Sequence, residues 1–153
     1  MSTVDLNGKT ITDSVVKDVL NNMAAYFGAT LHVTSGDRTT VPPGGSPTSL
    51  HLSGRAADFK IDGLDFGNIY QNLRNLGANQ VFVPGHRYEF IWHGIHTNTT
   101  GAHLHLGRIS TNADGYVKFI MEGITPEGSG TYAVDLQVPL SGNNTVQNSY
   151  MTQ

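Results

Sequence analysis

The feature that most limits the fold of this chain is the place where its hydrophobic period changes. Before Gly77 two stretches keep helical spacing, and after it every apolar run alternates. Thr12 or Asp13 can cap a helix whose positions Val15, Val16, Val19, Leu20, Met23 and Phe27 share one face, with Gly28 closing it. A second amphipathic helix is predicted over 65–76, with Phe66, Ile69, Leu73 and Leu76 inward and Gly77 ending it. Short strands are expected at 30–35 and 55–61, then at 80–83, 87–93, 102–108, 116–121 and 131–138. The last is the cleanest alternation, with Tyr132, Val134, Leu136 and Val138 on one side. This order predicts an α+β fold, a small antiparallel sheet with two or more helices.

The length, 153 residues, suits one domain. Its motif-bearing core is expected over 12–108, with a β-rich extension over 112–140 and a polar, mobile tail from Ser141 to Gln153. Gly and Pro gather in 35–48, a loop long enough to suggest function. Charged residues are only 14% and the net charge is −3, which argues against nucleic-acid and membrane-surface partners. The chain has no Cys, so disulfides, thiolate metal sites and a cysteine nucleophile are excluded. No apolar run spans a membrane, and the first residues lack the basic and apolar regions of a secretory signal. The expectation is cytoplasmic synthesis, with any action in the periplasm or at the cell wall following lysis or dedicated secretion.

Against that weak charge the seven His stand out, five of them between His86 and His105. Neutral imidazole is the commonest metal ligand and a base near pH 7. In Ser49-Leu-His51-Leu-Ser-Gly54-Arg-Ala56-Ala-Asp58, a loop His and a strand Asp can converge on one ion if the chain turns at Gly54. The small pair Ala56 and Ala57 lets that strand pack closely beside it. His103 and His105 share one face of a predicted strand, so one can ligate while the other moves protons. Three protein ligands and an open position describe a catalytic zinc site.

The pattern Ser-x-His-x-x-Gly-x-Ala-x-Asp over 49–58, followed by His-x-His, resembles the zinc D-alanyl-D-alanine carboxypeptidases. Their superfamily takes in D-Ala-D-Ala dipeptidases, lysostaphin-type peptidases, phage endolysins and the hedgehog domain. Ser35-Gly36-Asp37-Arg38-Thr39 is similar to the family's Ser-Gly-Tyr-Arg-Ser/Thr element. The resemblance implies a hedgehog/D,D-peptidase-like fold, Zn2+ held by His51, Asp58 and His105, His103 as proton shuttle, and Arg38 at the scissile carbonyl. Two assignments stay open. Relatives with His-x-Asp would make His103 the ligand, and relatives with Glu-x-x-His would make Glu89 the base, although here Glu89 and His93 are one residue further apart.

The resemblance further implies hydrolysis of an amide in peptidoglycan stem peptides or cross-links, as a D,D-carboxypeptidase or endopeptidase. The setting would be a phage lysin or secreted antibacterial effector, with a secretion-system, virion or immunity-protein partner. The contrasting expectation is a non-catalytic zinc-containing binding or virion structural module. Ser49, Arg38, His93 and Trp92 are the substrate-binding candidates. Structural roles suit His32 and His86, while His96 belongs with the cleft loop 93–101.

Overall fold

Asp13 starts the first helix, its carboxylate accepting the Val16 N–H, and α1 runs over Ser14–Phe27. Gly28, at φ 67°, ends it in the left-handed conformation that glycine tolerates best. Arg108 donates from Nε and Nη2 to the same Asp13 carboxylate, which ties the cap to the sheet. The computed structural model describes residues 3–41 and 49–141. The second half of the Gly/Pro-rich loop (42–48) and the polar tail beyond Ser141 lie outside the described residues.

Among the described residues seven strands form one sheet: β1 Val4–Asp5, β2 Leu31–Ser35, β3 Ala56–Ile61, β4 His86–His93, β5 His103–Thr111, β6 Tyr116–Glu122 and β7 Ala133–Pro139. Their order is β1-β2-β3-β5-β4-β6-β7. The α+β expectation holds, but the sheet is neither small nor antiparallel throughout, because β1 pairs parallel with β2 and β6 parallel with β4. The second parallel pair has a local cause. After β5 the chain steps across the start of β4 instead of folding back beside β5. Gly115 sits at that step, where a Cβ would crowd the His86 carbonyl oxygen at 2.7 Å.

Alternation divides every central strand between two faces. One face buries Ala57 and Phe59, Leu104 and Leu106, Tyr88 and Phe90, and Val117 and Phe119 against the helices. Tyr70, Phe90 and Phe119 meet there with ring centroids 5.6 to 6.2 Å apart. Full burial of each large apolar side chain is worth roughly 1.5–3 kcal/mol, so this layer carries the fold. The opposite face presents Asp58, His103, His105, Glu89, Ile91, His93 and Glu122.

The second helical region departs from expectation at Gly77. Helix α2 covers Phe66–Asn72, a wide π-turn covers Leu73–Gly77, and α3 continues over Ala78–Val81. The strand expected at 80–83 is therefore helical in its first half. Gly77 is present for close packing, since a Cβ there would lie 2.7 Å from the Tyr26 hydroxyl oxygen. The extra residue in the π-turn rotates Leu76 outward, leaving it 74% exposed. Strand β7 also departs: a register shift between Phe119 and Ile120 of β6 sets Val134 opposite Ile120 but Leu136 opposite Phe119, so the two face opposite sides, and at this sheet edge Val134 is 59% exposed.

Candidate metal centre

Strand pairing assembles the site. In the β3–β5 ladder Asp58 lies opposite His105, and a shift in the β2–β3 register brings Ser35 opposite Asp58. His51 arrives from a 3₁₀ turn, Leu50–Ser53, whose first N–H groups are capped when Ser49 Oγ accepts the His51 N–H. Gly54, at φ 73°, closes the turn and returns the chain into β3. Gly107 leaves room beneath it, because a Cβ there would meet Leu50 at 2.6 Å.

Ligating atoms of His51, Asp58 and His105 lie within 4.8 Å of one another, and all three residues are buried. Among the described residues no other group of three His, Asp or Glu does this. Each imidazole has its tautomer set from behind. His51 Nδ1 faces the Gly36 carbonyl at 2.8 Å, which only accepts, so Nδ1 carries the proton. His105 Nε2 faces the Glu89 carboxylate at 2.7 Å, so its proton sits there. The remaining nitrogens, His51 Nε2 and His105 Nδ1, are 3.2 Å apart, and each is 3.0 Å from Asp58 Oδ1.

Three lone-pair atoms thus point at one another. That arrangement is stable only around positive charge, a proton or a metal ion. The protonation preferences agree. Burial opposes ionisation of Asp58, yet His105 and His51, when a proton sits between them and the carboxylate, hold its carboxyl far below the usual range. Burial also opposes charge on His105, but bonds to Asp58 and Glu89 prevail and raise it to about 9. Two imidazoles and one carboxylate, each with a free lone pair at a common point, fit a divalent ion of the zinc type.

Gly36 makes this possible. A Cβ there would overlap the Thr10 carbonyl oxygen, and Asp37 N–H donates to that same oxygen at 2.7 Å. Asp37 is further held by the Thr12 hydroxyl. From this anchored segment Arg38 Nη2 donates to Ser35 Oγ at 2.8 Å and to Asp58 Oδ2 at 3.3 Å. His103 Nδ1 donates to the Gly101 carbonyl at 2.6 Å, turning Nε2 toward Asp58 Oδ2 at 3.5 Å. His103 therefore stands beside the three-residue group, while His105 stands within it.

These residues border a cavity of about 700 Å³, also lined by Ser49, Glu89, His93 and Tyr132. Glu89 lies behind His105 in the place of a ring-orienting carboxylate. Trp92 is not in the cleft as the sequence reading had it. It follows Ile91 and precedes His93 on an alternating strand, so it turns to the helix face, 5.5 Å from Tyr70 and against Gly67. His32 bridges Asp5 and Asp62, His86 meets Thr111, and His96 is exposed.

Sequence reasoning missed Glu122. It is 1% exposed and takes His93 Nδ1–H and the Thr97 hydroxyl at 2.5 Å on Oε1, and the Asn98 and Gly130 N–H groups on Oε2. Burial opposes its charge, but the Thr97 and His93 bonds lead the groups that lower it to about 2. Burial likewise holds His93 below its ordinary value, so it donates as a neutral ring. The register His93↔Glu122 was hidden because it joins strands 29 residues apart.

Comparison with known families gives a match to the family model described as Peptidase M15, which covers residues 3–93. That span includes Arg38, His51, Asp58 and Glu89 and ends before β5. Comparison with curated proteins and with solved structures gives no match.

Proposed function

The chain belongs to the peptidase M15 family, and from that premise we propose that it is a zinc peptidase hydrolysing an amide of peptidoglycan stem peptides or cross-links, of the D,D-carboxypeptidase or endopeptidase type. The observation that carries this reading is the convergence of His51, Asp58 and His105, with both imidazoles held in ligating tautomers, on a cavity wide enough for a peptide. Zinc, which those three residues would hold, would supply Lewis-acid chemistry there.

The chain's own groups do the rest. His103, fixed through Nδ1 by the Gly101 carbonyl, presents Nε2 to the cavity. There it takes the proton of the attacking water and passes it to the leaving amine as the C–N bond breaks. Arg38 directs its guanidinium toward the carbonyl oxygen, where negative charge develops. Glu89 keeps the His105 ring from turning, and the Gly36 carbonyl does the same for His51. Ser49 and His93 border the cleft and contact the substrate. No described helix is long and apolar enough to cross a membrane, and the substrate lies in the periplasm or cell wall. A phage lysin or a secreted antibacterial effector is the setting this substrate suits.

The test is digestion of purified peptidoglycan of several cross-link types by the zinc-loaded chain, with and without a chelator. Mass spectrometry then identifies the cleaved bond. Chelator-sensitive fragments ending at a stem-peptide amide are expected. Stoichiometric zinc with no new fragment from any wall type would overturn hydrolysis in favour of a zinc-containing binding or virion structural module.

A further inference from the structure

Glu122 is a buried carboxylate that the chemistry above does not use. Burying a charge is costly unless it is fully paired, and here every partner is a donor that converges on it. Those donors come from three places: the β4 end (His93), the β4–β5 loop (Thr97 and Asn98) and the β6–β7 loop (Gly130). Gly94 and Gly123 permit that convergence. A Cβ on Gly94 would crowd the Gly123 carbonyl at 2.6 Å, and one on Gly123 would overlap Thr97. The loop so anchored continues through Thr99 to Gly101, which borders the cavity and supplies the carbonyl that orients His103.

The His93 ring stacks on His103 with centroids 4.4 Å apart and meets Tyr132 edge-on at 5.7 Å. Its Nδ1 faces Glu122, so Nε2 lies on the opposite side of the ring. No partner for Nε2 occurs among the described residues, and no buried side-chain nitrogen there lacks a partner. Nε2 therefore opens on the cavity that His93 lines.

We propose that Glu122 is a positioning residue that locks His93 as the Nδ1–H tautomer, so that Nε2 faces the cleft as a hydrogen-bond acceptor for an N–H group of the bound peptide. The substrate half of this inference rests on the peptidase reading, whereas the tautomer half does not.

Glu122→Gln separates the two. The Asn98 and Gly130 N–H groups are fixed backbone donors, so they hold the amide oxygen on their side. The new NH2 then faces His93 Nδ1 and the Thr97 hydroxyl, both of which can switch to accepting. His93 flips to the Nε2–H form and presents a donor to the cleft. The measurement is long-range 1H–15N NMR of the 15N-histidine-labelled full chain, with and without zinc, native and Glu122→Gln. The native ring is expected as Nδ1–H and the variant ring as Nε2–H. With a stem peptide ending in D-alanyl-D-alanine, KM rises about tenfold, the low end for losing a tautomer-fixing partner, while kcat changes little. A native His93 found as Nε2–H, read whether or not the variant folds, overturns the proposal. So does an unchanged tautomer in the variant, or a flipped one with unchanged KM. A native chain that hydrolyses no stem peptide overturns the peptidase reading and the substrate half, and leaves the tautomer assignment to its own spectrum.

Discussion

Two buried carboxylates lie on the same face of the sheet, and their surroundings give them opposite uses. Asp58 is met by two imidazole nitrogens whose protons are held elsewhere, by the Gly36 carbonyl and by Glu89. Glu122 is met by four groups that all bring protons. The first set turns three lone pairs toward one centre, and a metal ion suits it. The second is saturated, so it holds a neighbouring ring and two loops in place. What decides between them is the far side of each histidine. A carboxylate or carbonyl behind the ring turns a lone pair inward, and the inward carboxylate oxygen becomes a candidate ligand.

The largest expected effect breaks the first centre. His51→Ala removes one of three ligands, and zinc by elemental analysis should fall from one per chain to none, with peptide hydrolysis lost alongside it. Zinc retained at one per chain would show that the ligand set is wrong. Next, Glu89→Ala leaves the ligands but frees His105 Nε2. A loss of about 10–100-fold in zinc affinity is expected by chelator competition, and no loss would deny Glu89 its orienting role.

Glu122→Ala probes the second centre and should divide stability from metal binding. It strands four donors in a buried site, costing about 3 kcal/mol or more in denaturant unfolding, while zinc stoichiometry stays at one. The acid dependence sharpens this. The folded pKa of Glu122 is about 2, against 4.5 ordinarily. Its contribution is therefore complete well above pH 4.5 and disappears as pH falls toward 2, an amount on the order of 3 kcal/mol. Native and Glu122→Gln stabilities should converge over that window; parallel curves would assign the acid sensitivity to other groups. The smallest effect belongs to the exposed edge. Val134→Thr should shift unfolding by no more than about 0.5 kcal/mol, and a larger change would reveal packing on β7.

Much of the first centre was legible in the chain. His51, Gly54 and Asp58 are close enough in sequence for a turn to join them, and alternation puts His103 and His105 on one face whatever their neighbours. Alternation also contained the answer for Trp92, since its neighbour His93 must face the other way. The strand at 80–83 failed for a different reason. Gly77 reads as a stop, yet its lack of a side chain serves the contact with Tyr26, a distant residue that local pattern cannot reveal. The edge exposure of β7 was equally hidden, because alternation reports a repeating preference and not the number of layers that cover it.

By itself, then, the sequence determined the local terms: the capped first helix, the run of strands, the absence of thiols and the residues able to bind a metal. These follow from spacing and side-chain chemistry within a few residues. Only the tertiary structure decided which strands lie side by side, and with that the parallel placement of β6 beside β4 and the pairing of His93 with Glu122. It also decided which nitrogen of each imidazole faces inward. The physical reason is that a tautomer belongs to a ring and its partner together, and the partners of His51, His93 and His105 are set by pairings between segments far apart in the chain.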